Sequence, residues 1–478
     1  MRAEQTSEER LDPQLIRLGL VVVVGVFMSM LDTTIVNVAL RTLGRELDAG
    51  LPTIQWIVTG YLLALAVVIP TTGWLTERFG GKQVFVLATA AFTITSGLCA
   101  AAWNADSLIA FRIAQGAAGA LLMPVAQTIL ARAAGPHRMG RAMTVVGVPA
   151  MLAPILGPVL GGALIDNVSW RWIFLINVPV GAVSVLLSMR LLPTDAVSKR
   201  SQPFDFRGLA LLGPGLALLV YGLSRAGEDG SFAPAEVWLT MLGGIALMAL
   251  FGRYAVGHGE RALIPLGYFR DRAFTGASVV SLSLGLTIFG VMLLIPLYYQ
   301  QVRAESALLA GLLMAPQGVG TALAMPIAGK LTDAYGPRRV VLAGSILTTL
   351  SALALTQVST TTSYWLLAGV LAVRGLGFGA TMMPAMAAGY RNLPSTAAGH
   401  ASSVLQILSR VGGTLGAALM AVILAQHIAA AERTPAALSN AYASTFWWAV
   451  AANAIGIAFA LLLPDTPPTR PDNMAEPR

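Results

Sequence analysis

Runs of about 20 apolar residues recur along the whole chain, and each is long enough to cross the hydrocarbon core of a bilayer as a helix. Fourteen can be counted. They lie at about 15–40, 54–75, 83–103, 106–132, 141–165 and 172–192, then 206–224 and 236–257, then 274–299, 307–331, 339–358, 364–390, 402–428 and 442–463. The composition fits a lipid solvent. Of 478 residues, 56% are hydrophobic and 11% charged, whereas soluble domains carry roughly 25% charged residues. Mean hydropathy is +0.71. The expected fold is therefore all-α and integral to a membrane, with 14 transmembrane helices. Gly and Pro interrupt the runs at 206–224 and 364–390, so the ends of those two are the hardest to place. The first fourteen residues are polar, and the first run lacks an early small-residue cleavage site, which reads as a retained span.

A repeated turn divides the fourteen. Gly73–Val84 reads GWLTERFGGKQV and Gly329–Val340 reads GKLTDAYGPRRV. Aligned without gaps, they share glycine, leucine, threonine, glycine and valine, and pair Glu77 with Asp333, Phe79 with Tyr335 and Lys82 with Arg339 by type. A repeated turn with its flanking spans marks two related halves. The expected organisation is a six-helix block at 1–192, a connector with two extra spans at 193–272, a second six-helix block at 273–463 and a proline-rich, disordered tail at 464–478. The middle pair lacks the charged and glycine-rich features of its neighbours and reads as an insertion.

Orientation follows from the basic residues. With the N-terminus inside, 22 of the 31 Lys and Arg fall in inner loops and termini, six in outer loops and three within spans. Both termini and both charged turns are then cytoplasmic, in a multi-pass cell-membrane protein. The net charge of +8 comes from those short loops and not from one continuous face, which argues against nucleic acid as a partner. The single cysteine, Cys99, excludes an intramolecular disulfide and any cysteine cluster for a metal.

Four charges fall inside spans: Asp32, Arg112, Arg374 and Arg410. Charges there are costly and mark functional sites by default. Asp32 lies roughly 12 Å before the outer end of span 1, and Arg112 roughly 9 Å after the outer start of span 4, so the two can meet. Desolvation of a membrane carboxylate opposes ionisation and a nearby guanidinium favours it, so moving one against the other makes a proton-binding switch. The alternative is an ion pair that only holds helices together. Arg374 and Arg410 have no acid at depth in their own half. They line a watered cavity, are satisfied by carbonyls, or meet an anionic part of a ligand; the shortage of buried acids tilts toward neutral or anionic cargo over a dication. Span 5 carries GVPAMLAPILGPVLGG at Gly147–Gly162, where Pro154, Gly157, Pro158, Gly161 and Gly162 suit a helix that pivots or seals against a neighbour, or simply packs tightly. In the two turns, Gly73, Glu77, Arg78, Gly80, Lys82, Asp333, Arg338 and Arg339 are candidates for a cytoplasmic gate, or for plain topogenic charge. No phosphate loop, HExxH, GxSxG or Cys/His metal spacing occurs, so an ATP-driven pump or a membrane hydrolase lacks support. No cofactor or metal is expected.

With these residues in hand, the chain resembles the major facilitator superfamily, in its fourteen-span drug/proton antiporter branch (EmrB/QacA type). The two charged turns resemble the signature cytoplasmic loop of that family, with Glu77 in place of the usual aspartate, which keeps the charge and changes its reach. Leu31–Leu40 (LDTTIVNVAL) resembles the first-span motif of the branch. Arg112-x-x-Gln115-Gly116 resembles the fourth-span motif, whose arginine is implicated in proton transfer. Gly157-Pro158-x-x-Gly161-Gly162 resembles the span 5 antiporter motif, and Trp170–Phe174 through Asn177-x-Pro179 resembles the start of span 6. The resemblance implies two six-helix bundles, each an inverted repeat, around a cavity open alternately to either side. It also implies a secondary transporter and not an enzyme, exporting small hydrophobic or amphipathic compounds in exchange for protons. On that reading Asp32 binds the proton and Arg112 tunes it. Asn37, Trp56, Tyr61, Gln115, Met123, Phe289, Arg374, Met382 and Arg410 are cavity candidates, each also explicable as packing. The expected partners are a small-molecule substrate, protons and membrane lipid, with the protein a monomer. A dedicated exporter of one endogenous lipid, siderophore or secondary metabolite is the alternative. A non-transporting sensor would need a soluble domain that the short loops do not offer.

Overall fold

The computed structural model describes residues 13–194, 203–394, 397–431 and 434–465. Within its helices, the side chains of Asn37, Arg41, Leu51, Pro52, Asp166, Ala307, Leu308 and most of 135–159 lie outside the described residues, among them Pro154 and Pro158. So do Lys199 and Arg200 of the connector and residues 466–478 of the tail.

The described chain is helical. The first half comprises α1 (Pro13–Glu46), α2 (Leu51–Val68), α3 (Thr72–Phe79), α4 (Gly81–Ala100), α5 (Ala105–Asn167), α6 (Trp172–Leu175) and α7 (Asn177–Leu191). Two helices follow, α8 (Phe206–Asp229) and α9 (Ala235–His258). The second half comprises α10 (Arg272–Gln301), α11 (Ala307–Leu312), α12 (Ala315–Tyr335), α13 (Pro337–Leu355), α14 (Tyr364–Tyr390), α15 (Ala398–Ala430) and α16 (Pro435–Ala460). Among the described residues, 13 helical segments are long and apolar enough to cross a membrane. Helicity is what lipid demands, because every backbone N–H and C=O must be satisfied within its own segment. Pro214 and Pro384 do not break their helices, so α8 and α14 run through the stretches whose ends were hardest to place.

Helix α5 is 63 residues long, covering the fourth and fifth apolar runs. Its two arms both lie against α1. Arg112 contacts Asp32, and Thr34 Oγ1 donates to the Ala153 carbonyl at 3.2 Å. A Cβ on Gly157 would come within 2.1 Å of Thr34 Oγ1, and one on Gly161 within 2.8 Å of Ile35 Cγ1. A straight helix would separate residues 112 and 157 by roughly 68 Å. Since both touch one short stretch of α1, the chain reverses between them. The span 5 glycines thus let the second arm sit directly on α1, as close backbone approach in a membrane requires.

The two repeated turns share a glycine backbone conformation as well as a sequence. Gly80 has φ 83 and ψ 151, and Gly336 has φ 86 and ψ 156. That region is closed to residues with a Cβ. Each glycine joins two helices at the same place in its half. Each turn also grips the end of the last helix of its own half: Lys82 Nζ donates to Leu192 O at 2.7 Å, and Arg339 Nε meets Asp465 at 3.1 Å.

The apolar cores differ between the two ends of the molecule. At the end bearing the charged turns, one continuous core takes in Val22, Phe85 and Leu130 of the first half, Leu263 after α9, and Phe274, Met383 and Leu405 of the second. At the opposite end there are two separate cores. One lies in the first half around Ile35, Ile57 and Phe174, the other in the second half around Tyr298, Leu371 and Tyr442. Helix α8 packs on α2 and on α15, one from each half. Replacing Gly80 or Gly336 by alanine is expected to cost about 1–3 kcal/mol through backbone strain, seen as a lower unfolding temperature of the detergent-purified protein, with the two variants similar in size.

Candidate functional site

The centre of the first half holds a closed polar cage. Asp32 of α1 is fully buried and Arg112 of α5 is 1% exposed. Arg112 Nη1 donates to Asp32 Oδ2 at 2.6 Å and to Gln115 Oε1 at 2.8 Å. Gln115 Nε2 donates in turn to Asp32 Oδ1 at 3.0 Å, so Arg112 and Gln115, one turn apart on α5, clasp both oxygens of the carboxylate. Asn177, the first residue of α7, adds a donor to Oδ1 at 2.9 Å and a second bond to Ser96 Oγ of α4 at 3.0 Å. Ser96 donates to the Phe174 carbonyl at 2.9 Å. Arg112 Nε reaches Ile57 O at 3.3 Å, and the Tyr61 ring covers its guanidinium at 4.1 Å. Buried charge is tolerated when its lone pairs and protons are satisfied in this way.

The sequence brought Asp32 and Arg112 together correctly in depth, and the structure adds three things. Gln115 and Tyr61, named as cavity candidates, belong to the cage itself. Asn177 stood in the span 6 motif without an assigned role, and the unassigned Ser96 bonds to it. Both are small polar residues in apolar runs, which is the signal that could have drawn attention to them.

The other cavity candidates are dispersed. Trp56 stacks on Tyr221 of α8 at 5.8 Å and lines a cavity of about 150 Å³ with Gln55, Thr59, Ser224, Arg225 and Glu228, apart from the cage. Met123 is buried in the core that joins the halves, and Met382 packs against it. Phe289 is 47% exposed. Arg374 is 3% exposed; its Nη2 donates to Thr287 O of α10 at 2.6 Å, while its buried Nη1 has no partner. Arg410 is partly buried. The side chain of Asn37 lies outside the described residues.

The gate candidates fall into two groups. Glu77 meets His400 of α15 across the halves, Oε1 to Nε2, at 3.4 Å. The His400 Nδ1 lies 3.1 Å from Leu263 O, and Tyr268 stands beside the ring. Burial pushes the Tyr268 phenol up to about 12, with the Glu77 and Glu260 carboxylates adding to the shift, so it stays protonated. Gly73 faces the same imidazole, and a Cβ there would sit 2.3 Å from Nδ1. Lys82 and Arg339 hold contacts within their own halves, as described above, and Arg338 N donates to Pro464 O. Arg78 is exposed and Asp333 half-buried. Deeper in the same seam, Gln127 Oε1 accepts from Ser402 Oγ at 3.0 Å and from Gln406 Nε2 at 3.2 Å. His400, Gln127 and Leu263 were not singled out in the sequence, because only folding brings their runs together.

A bundle of membrane helices with a repeated glycine turn and a charged cage at its centre is the setting in which the comparisons with known proteins belong. The Major Facilitator Superfamily model matches residues 22–417 and 306–478, and the chain belongs to that family. It is 40% identical over 423 residues to the "Multidrug resistance protein B homolog" of Mycobacterium tuberculosis, covering 88% of this chain and 78% of that protein. It is 32% identical over 452 residues to a Cronobacter sakazakii protein carrying the multidrug-resistance name MdtD, covering 94% of each. The crystal structure of the human organic anion transporter MFSD10 shares the fold, at TM-score 0.63 and 16% identity, over 94% of this chain and all of that one. The chain is thus a multi-pass membrane transporter whose relatives are named for multidrug resistance.

Two outcomes follow from this geometry. Arg112→Ala leaves a buried carboxylate without its cation and is expected to destabilise by about 3–5 kcal/mol. Pairing it with Asp32→Ala should recover part of that loss, which thermal unfolding of the single and double variants will measure. In the seam, a Cβ on Gly399 would lie 2.4 Å from Thr76 Oγ1 and 3.1 Å from Gly73 Cα. Gly399→Val should therefore open this end, seen as faster maleimide labelling of a cysteine placed at Ser402 than in the same reporter with Gly399 intact.

Proposed function

We propose that the protein exports small hydrophobic or amphipathic compounds, drugs among them, in exchange for protons, by alternating access between two six-helix bundles. The observation that carries this reading is the Asp32 cage. Every other described Asp or Glu lies in a loop or close to a helix end, so Asp32 is the one carboxylate deep in a span. Its charge is balanced by a guanidinium that could change partners, since Gln115 also accepts from Arg112. Protonating Asp32 neutralises one member of the pair. Arg112 then keeps Gln115 and the Ile57 carbonyl, while the attraction holding α1 to α5 weakens. That is a proton-dependent change in how α1, α5 and α7 are tied together, and α5 packs on α12, α14 and α15 of the other half.

In this reading the reversal in α5 makes a fourteenth crossing, α8 and α9 are the inserted pair, and each bundle is an inverted repeat. Basic loops put both termini and the charged turns in the cytoplasm of a cell-membrane protein. The continuous core then lies inside and the divided cores outside, which is an outward-facing state. Glu77 and His400 latch the closed side, and the span 5 glycines let the second arm of α5 slide on α1. The protein acts as a monomer in lipid and needs no cofactor. The relatives' multidrug-resistance names support breadth of cargo.

The test is dye efflux in sealed vesicles with and without an imposed pH gradient. Wild-type protein should move dye with the gradient, and Asp32→Asn should lose at least 90% of that gradient-driven rate while still folding and inserting, since it preserves shape. Full gradient-driven efflux by the variant would remove Asp32 from the coupling step.

A further inference from the structure

Among the described residues, Arg374 and Arg410 are cations deep in the second half with no acidic partner. Arg374 projects from α14 and Arg410 from α15, and both border the same turn of α10. Arg374 bonds to Thr287 O there, and a Cβ on Gly285 would lie 2.2 Å from Ser409 O, which sets residue 409 directly against that turn. Arg374 is almost wholly buried with Nη1 unpartnered. The Arg410 guanidinium makes no hydrogen bond or ion pair among the described residues, and Gln406, one turn earlier on α15, donates to Gln127 Oε1 of the other half at 3.2 Å. Arg410 therefore faces the seam between halves. The sole acid at depth, Asp32, is already occupied by Arg112. The membrane interior thus holds a surplus of two positive charges beside the space between the bundles. Uncompensated charge in a low-dielectric setting is costly, and a counter-charge brought by a ligand would relieve it. Phe289 lies over Gly413, one helical turn from Arg410 on the same face of α15, and is half-exposed.

We propose that Arg374 and Arg410 form an anion-recognition site and that the cargo is an amphipathic anion, its acidic group between the two guanidinia and its apolar body toward Phe289. This names a substrate class for the transport reading above and rests on it for the cargo's fate; the binding itself does not require transport. The chemistry selects carboxylates, sulfonates or other single negative charges on an apolar frame and disfavours cations of the same shape.

The experiment uses the purified full chain in detergent and two probes of matched size and opposite charge, tetraphenylborate and tetraphenylphosphonium, with binding followed by quenching of tryptophan fluorescence. Wild-type protein should bind the borate at least tenfold more tightly than the phosphonium. Arg410→Gln, which breaks no bond in the structure, should reduce that preference at least fivefold. Arg374→Gln should do the same, and Arg410→Gln carries the test if the buried Arg374 variant fails to fold. Equal affinities, a preference for the phosphonium, or a borate preference unchanged by Arg410→Gln overturns the proposal. Vesicle efflux separates it from the broader reading. An intact charge preference without gradient-driven efflux would sink proton-coupled export and leave the anion site standing. Efflux without a charge preference would do the reverse.

Discussion

Burying one carboxylate and one guanidinium together is the constraint around which the first half is built. Moving each ion into a medium like dry protein costs of order 20 kcal/mol in the idealised limit, and mutual attraction repays this only with good geometry and satisfied remaining groups. The cage meets both conditions. Asp32 accepts from Arg112, Gln115 and Asn177, and Arg112 spends its other donors on Gln115 and Ile57. Those groups come from α1, α5 and α7 and, as the Ile57 carbonyl, from α2, with Ser96 of α4 behind them. The five longest elements of the bundle therefore meet at one charge. On the proposed reading, a change in the protonation of Asp32 would be felt by all of them.

The two halves share a fold repeat but not a charge plan. Each has its glycine turn at φ near 85, and each turn's basic residue holds the end of its own last helix. The first half pairs its buried arginine with an acid, while Arg374 and Arg410 of the second have no acidic partner among the described residues. The seam between halves is apolar and continuous at one end and divided at the other. Its polar contacts include Glu77 with His400 and Gln127 with Ser402 and Gln406.

Much of this was legible in the residues. Apolar run length marked the helices because lipid leaves a chain no other way to satisfy its backbone. The echo of Gly73–Val84 at Gly329–Val340 marked the halves, and the matched glycine conformations explain why those letters recur. Depth counting along two helices placed Arg112 beside Asp32, since helical rise converts sequence into distance. Trp56 shows where that method stops: its depth was readable, but its direction was not, and it turns to α8 and Tyr221. The middle pair looked like a bland insertion. Its trailing segment supplies Leu263 to the core shared by the halves and to His400, a contact that composition alone does not signal.

By itself the sequence determined the solvent, the helices, the repeat and the one acid deep in a span, because each depends on local composition or on spacing along a single helix. The tertiary structure alone decided which small polar residues complete the cage, which histidine answers Glu77, and which end of the seam is closed. Those depend on how helices from distant parts of the chain are rotated against one another. Rotation is set by the packing of many side chains at once, and no single stretch of residues encodes it.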